Sequence, residues 1–188
     1  MRLILASSSP RRKVLMKLLG VDFEVIPSRI EENIPASMGF GETVERLAME
    51  KAQEVYERTF EERVVIGADT LVVLEGEVLG KPSDLEEART YLKKLSGREH
   101  VVYTGVAFVW DEGRYSFHES TRVKFRDLPD DLIEKYVTEH RPLDKAGAYG
   151  IQDLGAVFIE RIEGDYYTVM GLPIGRVWRF LYDKGWWR

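Results

Sequence analysis

Cysteine is missing, and histidine and side-chain amides are scarce: the 188 residues include three histidines, one asparagine and two glutamines. The lack of cysteine excludes disulfides, thiolate metal sites and a cysteine nucleophile. His100, His118 and His140 do not have the spacing of zinc ligands, so a zinc site is not expected. The G-x-S-x-G sequence of a serine-hydrolase elbow is also absent.

Long hydrophobic runs and dense positive charge are absent too. No segment approaches the roughly 18 consecutive apolar residues of a membrane-spanning helix. The first residues lack the apolar core of a signal peptide. The net charge is −5, which disfavours sequence-independent binding to nucleic acid, because that binding depends on dense lysine and arginine. We therefore expect a cytoplasmic protein with neither a membrane nor a nucleic acid as partner.

Strand and helix patterns alternate along the chain, without a repeat or a linker. Helices are predicted at 10–19, 42–60, 84–95, 130–139 and from Pro173 onward. A loop is predicted at 28–41 and a strand at about 156–162. Two predicted hairpins, at 64–79 and 99–126, indicate a mixed sheet flanked by helices rather than a purely parallel sheet. A domain usually has about 100–200 residues. The sequence therefore predicts one α/β domain of mixed α+β type over residues 1–188.

The run Ser7-Ser8-Ser9-Pro10-Arg11-Arg12 follows a short apolar strand pattern and opens the first helix. Ser9 is the predicted N-cap, Pro10 the first helical residue and Gly20 the end. A helix start disfavours each cation by about 0.3–1 kcal/mol unless an anion binds there. The run thus indicates a phosphate site; the alternative is a capped helix with both arginines in solvent. The predicted buried face of this helix consists of Val14, Leu15, Leu18 and Leu19.

Asp69 interrupts the apolar strand pattern of residues 64–74, directly after the small residues Gly67 and Ala68. A buried carboxylate is costly unless it is paired. Asp69 is therefore either a structural residue, in an ion pair or as a hydrogen-bonded buried acid, or a carboxylate that binds metal or activates water. Lys51 lies on or beside the apolar stripe of the helix at 42–60, and we expect its side chain to extend along that surface towards solvent. The alternative is that Lys51 reaches a ligand.

Four further residues could contribute to binding a phosphorylated ligand. Lys81, in the rigid connector Gly80-Lys81-Pro82, could neutralise phosphate oxygens or be an ordinary solvated lysine. Glu31 and Glu32 are either surface charges or carboxylate ligands for Mg²⁺. Gln152 lies in a stretch rich in glycine and alanine, Asp144 to Asp153, and could recognise the edge of a base. The alternative for this stretch is a compact turn packed beneath the sheet.

Five segments, in this order, carry a resemblance to a known family: Ala6-Ser7-Ser8-Ser9-Pro10-Arg11-Arg12, Gly67-Ala68-Asp69-Thr70, Gly80-Lys81-Pro82, Asp144-Lys145-Ala146-Gly147-Ala148-Tyr149-Gly150-Ile151-Gln152 and Met170-Gly171-Leu172-Pro173. Over nearly its whole length, the chain resembles the Maf-like nucleoside triphosphate pyrophosphatases. The resemblance implies an elongated mixed sheet with flanking helices and a cleft between two lobes, a fold shared with the inosine triphosphate pyrophosphatases. It also implies hydrolysis of a nucleoside triphosphate to the monophosphate and pyrophosphate with a divalent metal, Mg²⁺ or Mn²⁺.

The resemblance assigns catalytic roles to three residues. Asp69 would be the general base or a metal-bound carboxylate, Glu32 would help to hold the metal, and Lys81 would stabilise charge on the phosphates. Ser7 and Arg11 would also contact the phosphates.

The remaining assignments concern the base. Arg12, Thr70 and Gln152 would set a preference for dTTP, UTP and modified pyrimidine triphosphates. An alternative function is a nucleotide-sensing protein that restrains cell division through a partner and turns over little substrate. A homodimer is a candidate assembly.

Overall fold

Seven strands and six helices form most of the regular structure in residues 2–34 and 38–187, the parts of the chain that the computed structural model describes. Pro35 of the predicted loop at 28–41 lies outside them. The strands are Arg2–Leu5 (β1), Glu24–Val25 (β2), Arg63–Leu74 (β3), Glu77–Leu79 (β4), Glu99–Trp110 (β5), Gly113–Phe125 (β6) and Ile159–Glu163 (β7). The helices are Pro10–Leu18 (α1), Phe40–Glu57 (α2), Leu85–Leu95 (α3), Asp130–His140 (α4), Tyr166–Met170 (α5) and Ile174–Asp183 (α6).

The strands form one mixed sheet in the order β2-β1-β3-β5-β6-β7, with β4 paired to β3. β1 runs parallel to β2 and β3. β4 is antiparallel to β3, and β7 to β6. The mixed sheet predicted from the two hairpins is therefore confirmed. None of the described helices has both the length and the apolar content needed to cross a membrane.

The described chain divides into two compact units. Unit 1 contains the described residues up to Asp69, Thr104–Glu119, and those from Gly171 onward, whereas unit 2 contains Thr70–Tyr103 and Ser120–Met170. β3, β5 and β6 each contribute one segment to each unit. Two units agree in number with the two lobes that the resemblance implies.

In unit 1, helix α2 packs closely on the sheet. The shared core consists of small and β-branched residues, with Ala48, Ala52 and Val55 of α2 against Val65, Ala107 and Val109. Gly67 and Gly105 lie directly beneath the helix backbone: a Cβ atom on Gly67 would overlap the carbonyl oxygen of Ala48, and one on Gly105 that of Val44. The close approach of α2 to β3 and β5 therefore requires both glycines.

Helix α1 buries only half of the face that its apolar pattern predicts. Leu15 and Met16 are fully buried, whereas Val14 is 49% and Leu18 62% exposed. The inward face contains Arg12 together with Leu15, Met16 and Leu19, which are the helical neighbours at i+3, i+4 and i+7. The predicted burial of Leu15 and Leu19 is confirmed. For Val14 and Leu18 the prediction was wrong, because an analysis of apolar spacing alone places an arginine on the solvent side.

His100 is a buried neutral base in unit 2. Its Nε2 lies 2.7 Å from the hydroxyl of Tyr149, and its ring packs edge-on against Phe125, with centroids 5.0 Å apart. Burial lowers the pKa of His100 from its ordinary value of 6.5 to about 3. His100 therefore stays uncharged in the native state over the range in which it would titrate in the unfolded chain.

Gly105→Ala should destabilise the protein by about 1–3 kcal/mol, because the added methyl group forces α2 away from the sheet. Gly175→Ala is the matched control. Nothing lies within 4 Å of a Cβ atom at Gly175 in α6, and alanine favours a helix over glycine by up to about 1 kcal/mol. Urea unfolding of both variants measures the difference. Equal stability of the two would contradict the close packing of α2.

His100 should also make stability depend on pH. Below about pH 6.5, the unfolded chain binds a proton on His100 that the native state does not, so the free energy of unfolding falls by up to about 1.4 kcal/mol per pH unit. His100→Gln should remove this one-proton slope. Urea unfolding at several pH values between about 7 and 5 measures it. A slope as steep in His100→Gln as in the wild type would exclude His100 as the source.

Candidate active site

The serine-rich loop before α1 forms an ordered hydrogen-bonded turn. Ser9 is the N-cap, and its hydroxyl accepts a hydrogen bond from the Arg12 N–H at 3.5 Å. The buried Ser7 hydroxyl accepts one from the Ser9 N–H at 3.2 Å and another from Arg12 Nη1 at 3.2 Å. The predicted cap at Ser9 and start at Pro10 are confirmed. The loop thus holds the guanidinium of Arg12 against its own serine.

A second contact fixes Arg12 from a distant part of the sequence. Its Nε donates a hydrogen bond to the carbonyl oxygen of Gly171 at 2.8 Å. Gly171 has φ +101°, a backbone conformation that favours glycine. One structural role of the Met170-Gly171-Leu172-Pro173 segment is therefore to place a carbonyl group that anchors Arg12.

Arg12 lies in a largely buried and strongly charged environment. Arg12 is directed inward, and burial lowers its pKa, as does the positive charge of the neighbouring Arg11. The carboxylates of Asp69 and Glu32 act in the opposite direction and raise that pKa. The guanidinium of Arg12 therefore lies within electrostatic range of both acids, and its side chain does not extend into open solvent.

Asp69 and Glu32 meet at one ammonium group, that of Lys51. The Nζ atom of Lys51 lies 2.5 Å from Asp69 Oδ1 and 2.7 Å from Glu32 Oε1. Lys51 reaches Asp69 because its helix approaches the strand at Gly67: Ala48, one turn before Lys51, touches Gly67, two residues before Asp69 on the same strand face. The expected extension of Lys51 towards solvent is wrong.

Asp69 retains one oxygen without a protein partner. The side chain is buried, and among the described residues no hydrogen-bond donor reaches its Oδ2 atom. Burial raises the pKa of Asp69, while Lys51 and then Arg12 lower it. The ion pair considered from the sequence therefore exists, and it leaves an acceptor oxygen available to a cation or a water molecule.

The described residues contain no group of three His, Cys, Asp or Glu side chains arranged to hold a metal. Asp69 and Glu32 provide two carboxylates. Mg²⁺ is usually bound by one or two carboxylates, with substrate phosphates and water as its other ligands. The Asp69–Glu32 pair, with the unpaired Oδ2, fits a metal of this kind bound together with a phosphorylated substrate.

In unit 2, the connector carrying Lys81 lies against the segment Asp144 to Gln152. The Gly147 N–H donates a hydrogen bond to the Gly80 carbonyl at 3.1 Å. Gly147 has φ +68°, and a Cβ atom there would lie 3.0 Å from Val72 Cγ1. At Gly147, the absence of a side chain allows this segment to pack against Val72. This is the packing that the compact-turn alternative predicts. Lys81 and Gln152 are exposed.

The predicted site residues divide between the two units. Unit 1 contains Ser7, Arg11, Arg12, Glu32 and Asp69, whereas unit 2 contains Thr70, Lys81 and Gln152. Lys51 was not predicted as a site residue. The sequence shows a lysine within an apolar helical stripe. This pattern does not identify the acid with which the lysine pairs.

A family model and closely similar curated proteins agree on the kind of protein that this chain resembles. A family model described as Maf-like protein matches residues 2–184. The chain is 58% identical to a dTTP/UTP pyrophosphatase of Thermotoga maritima, covering 100% of this chain and 92% of that protein. It is 49% identical to a dTTP/UTP pyrophosphatase of Bacillus cytotoxicus, covering 98% and 97%.

A solved structure supports the fold. The HAM1 protein from Coxiella burnetii superposes with a TM-score of 0.56 over 97% of this chain and 99% of that one, at 17% sequence identity. At this identity the likeness shows the fold alone. The family match over residues 2–184, together with relatives at 49–58% identity, shows that the chain belongs to the Maf-like protein family.

Proposed function

We propose that this protein hydrolyses nucleoside triphosphates, dTTP and UTP among them, to the monophosphate and pyrophosphate. The observation that carries the proposal is the buried Asp69, whose Oδ1 is paired with Lys51 while its Oδ2 has no partner among the described residues. A carboxylate held in this way can accept a proton from water or bind a cation. Relatives at 49–58% identity that are named dTTP/UTP pyrophosphatases support the substrate class.

Asp69 and Glu32 are the residues proposed to hold a divalent metal, Mg²⁺ or Mn²⁺. When bound, such an ion polarises a phosphoryl oxygen and neutralises charge that develops on the phosphates. Lys51 keeps the two acids close together without occupying Asp69 Oδ2. In the proposed reaction, Asp69 takes the proton of the attacking water.

The α1 start is proposed to bind the triphosphate. Ser7 Oγ already accepts two hydrogen bonds, so its own proton is the group it can offer to a phosphate oxygen. Arg11 and Lys81 add positive charge that stabilises the departing pyrophosphate. A preorganised helix start and fixed cations need little rearrangement when negative charge develops.

The base-recognition roles of Arg12, Thr70 and Gln152 rest on the family resemblance. For Gln152, exposure and an amide with both donor and acceptor groups support the role. The guanidinium of Arg12 interacts electrostatically with Asp69 and Glu32. A guanidinium in this position is also suited to binding a phosphate. We propose a single domain over residues 1–188, a cytoplasmic location, no nucleic-acid partner and a homodimer.

Asp69→Asn should reduce pyrophosphate release from UTP by about 10²–10⁴-fold, because it removes both the proton acceptor and a charged metal ligand. The reaction is measured with Mg²⁺ or Mn²⁺, and circular dichroism checks the fold. Asp22→Asn, at an exposed acid of the same unit, is the matched control and should keep wild-type turnover. Undiminished turnover in Asp69→Asn would exclude the assigned role, and tight UTP binding by the wild type without product would favour the sensor alternative.

Lys51→Met should reduce the free energy of unfolding by about 3–5 kcal/mol, because it leaves a buried carboxylate without its cation. The double variant Lys51→Met/Asp69→Asn should recover part of this loss, since it removes the unpaired charge as well. Urea unfolding of the single and double variants gives the coupling. Lys13→Met, at an exposed lysine of α1, should be close to wild type. Strictly additive losses would refute the coupling of Lys51 to Asp69.

A further inference from the structure

One buried hydroxyl group joins the two ends of the turn that carries Gln152. Tyr136 lies on α4 and is fully buried. Its hydroxyl accepts a hydrogen bond from the Gly150 N–H at 3.0 Å and donates to Asp153, whose Oδ1 and Oδ2 lie 3.1 and 3.3 Å away. Burial and the charge of Asp153 raise the pKa of this hydroxyl, so it keeps the proton that it donates. Only Ile151 and Gln152 separate the two anchored residues.

Asp153 extends the same anchor to the following residues. Its Oδ1 also accepts a hydrogen bond from the Gly155 N–H at 2.8 Å, which caps the 3₁₀ helix Leu154–Phe158. This helix is why the strand predicted at 156–162 begins only at Ile159. A Cβ atom on Gly150 would lie 2.7 Å from Asp153 Oδ2, so the turn is closed against its own carboxylate. The Asp153 carboxylate therefore packs against the backbone of the turn at Gly150.

Gln152 is the exposed residue of this closed turn. Ile151 before it is buried, and Gln152 itself is exposed. Since Gly150 and Asp153 are both held by the hydroxyl of Tyr136, the direction in which the Gln152 side chain leaves the backbone depends on that hydroxyl. A recognising amide must keep its position to discriminate between bases, because a misplacement of about 1 Å can cost about 100-fold in rate.

We propose that Tyr136 is a positioning residue for base selection: its hydroxyl fixes the Gly150–Asp153 turn and thereby the orientation of Gln152. This inference rests on the proposed function, in which Gln152 contacts the base. Tyr136 does not itself touch the substrate in this proposal.

Tyr136→Phe tests the inference, because it removes the hydroxyl while keeping a ring that packs 4.8 Å from Phe158 and 4.9 Å from His140. We expect the backbone amide of Gly150 to exchange with solvent about tenfold faster or more, since its acceptor is lost. We also expect the ratio of kcat/KM for UTP to that for GTP to fall about threefold to tenfold. Amide exchange by mass spectrometry and pyrophosphate release measure the two effects.

Tyr91→Phe is the matched control. It removes a hydroxyl that donates to Glu87 Oε1 at 3.0 Å in the same unit and makes no bond to the turn, so both quantities should stay at wild-type values. Asp153→Asn, which retains an acceptor for the Gly155 N–H, should shift both quantities in the same direction by a smaller amount. It serves as the test variant if Tyr136→Phe does not fold.

Faster exchange together with a lower UTP:GTP ratio supports the inference. A wild-type ratio in Tyr136→Phe overturns it, whether or not exchange is faster, and leaves the proposed function intact. A wild-type protein that releases no pyrophosphate from UTP or dTTP refutes the proposed function, and the inference with it.

Discussion

The arrangement of the site in unit 1 depends on one ammonium group. Lys51 Nζ lies within hydrogen-bond distance of both Asp69 and Glu32. Without a cation, a buried carboxylate would be costly and would be driven to take up a proton. Because Lys51 uses only one oxygen of Asp69, it stabilises the charged form and still leaves an acceptor atom. The same contact therefore stabilises the buried acid and leaves free the oxygen that the proposed reaction requires.

This contact is a consequence of how closely α2 packs on the sheet. The helix backbone lies against Gly67 and Gly105, where any side chain would overlap a carbonyl group. One helical turn separates the contact at Ala48 from Lys51, and one strand residue, Ala68, separates Gly67 from Asp69. A larger spacing between helix and sheet would move the ammonium group out of reach of the acid. The glycine in the Gly67-Ala68-Asp69-Thr70 segment is thus as necessary to the site as the aspartate.

Local patterns in the sequence predicted much of the fold, because caps, turns and apolar periodicity act over a few residues. The Ser9 cap, the mixed sheet and most element positions follow from them. What could not be predicted depends on partners far away in the sequence. Arg12 turns inward because Gly171 offers a carbonyl, and Lys51 is buried because it pairs with an acid 18 residues later. Hydrophobic spacing treats both residues as surface charges, since it carries no information about which partner a charge will find.

The pairing of charges also bears on how the proposed substrate would be attracted. Lys51 and Arg12 together balance the negative charges of Asp69 and Glu32, so this group of four side chains is close to neutral. A divalent cation bound to the two acids would make it positive, and Arg11 adds positive charge near Arg12. A triphosphate carries several negative charges, and a local positive field in an acidic protein both attracts and orients it. Because the four side chains are close to neutral without a metal, tight triphosphate binding would depend on the metal. The two acids would also limit repulsion between Lys51 and Arg12 when no nucleotide is present.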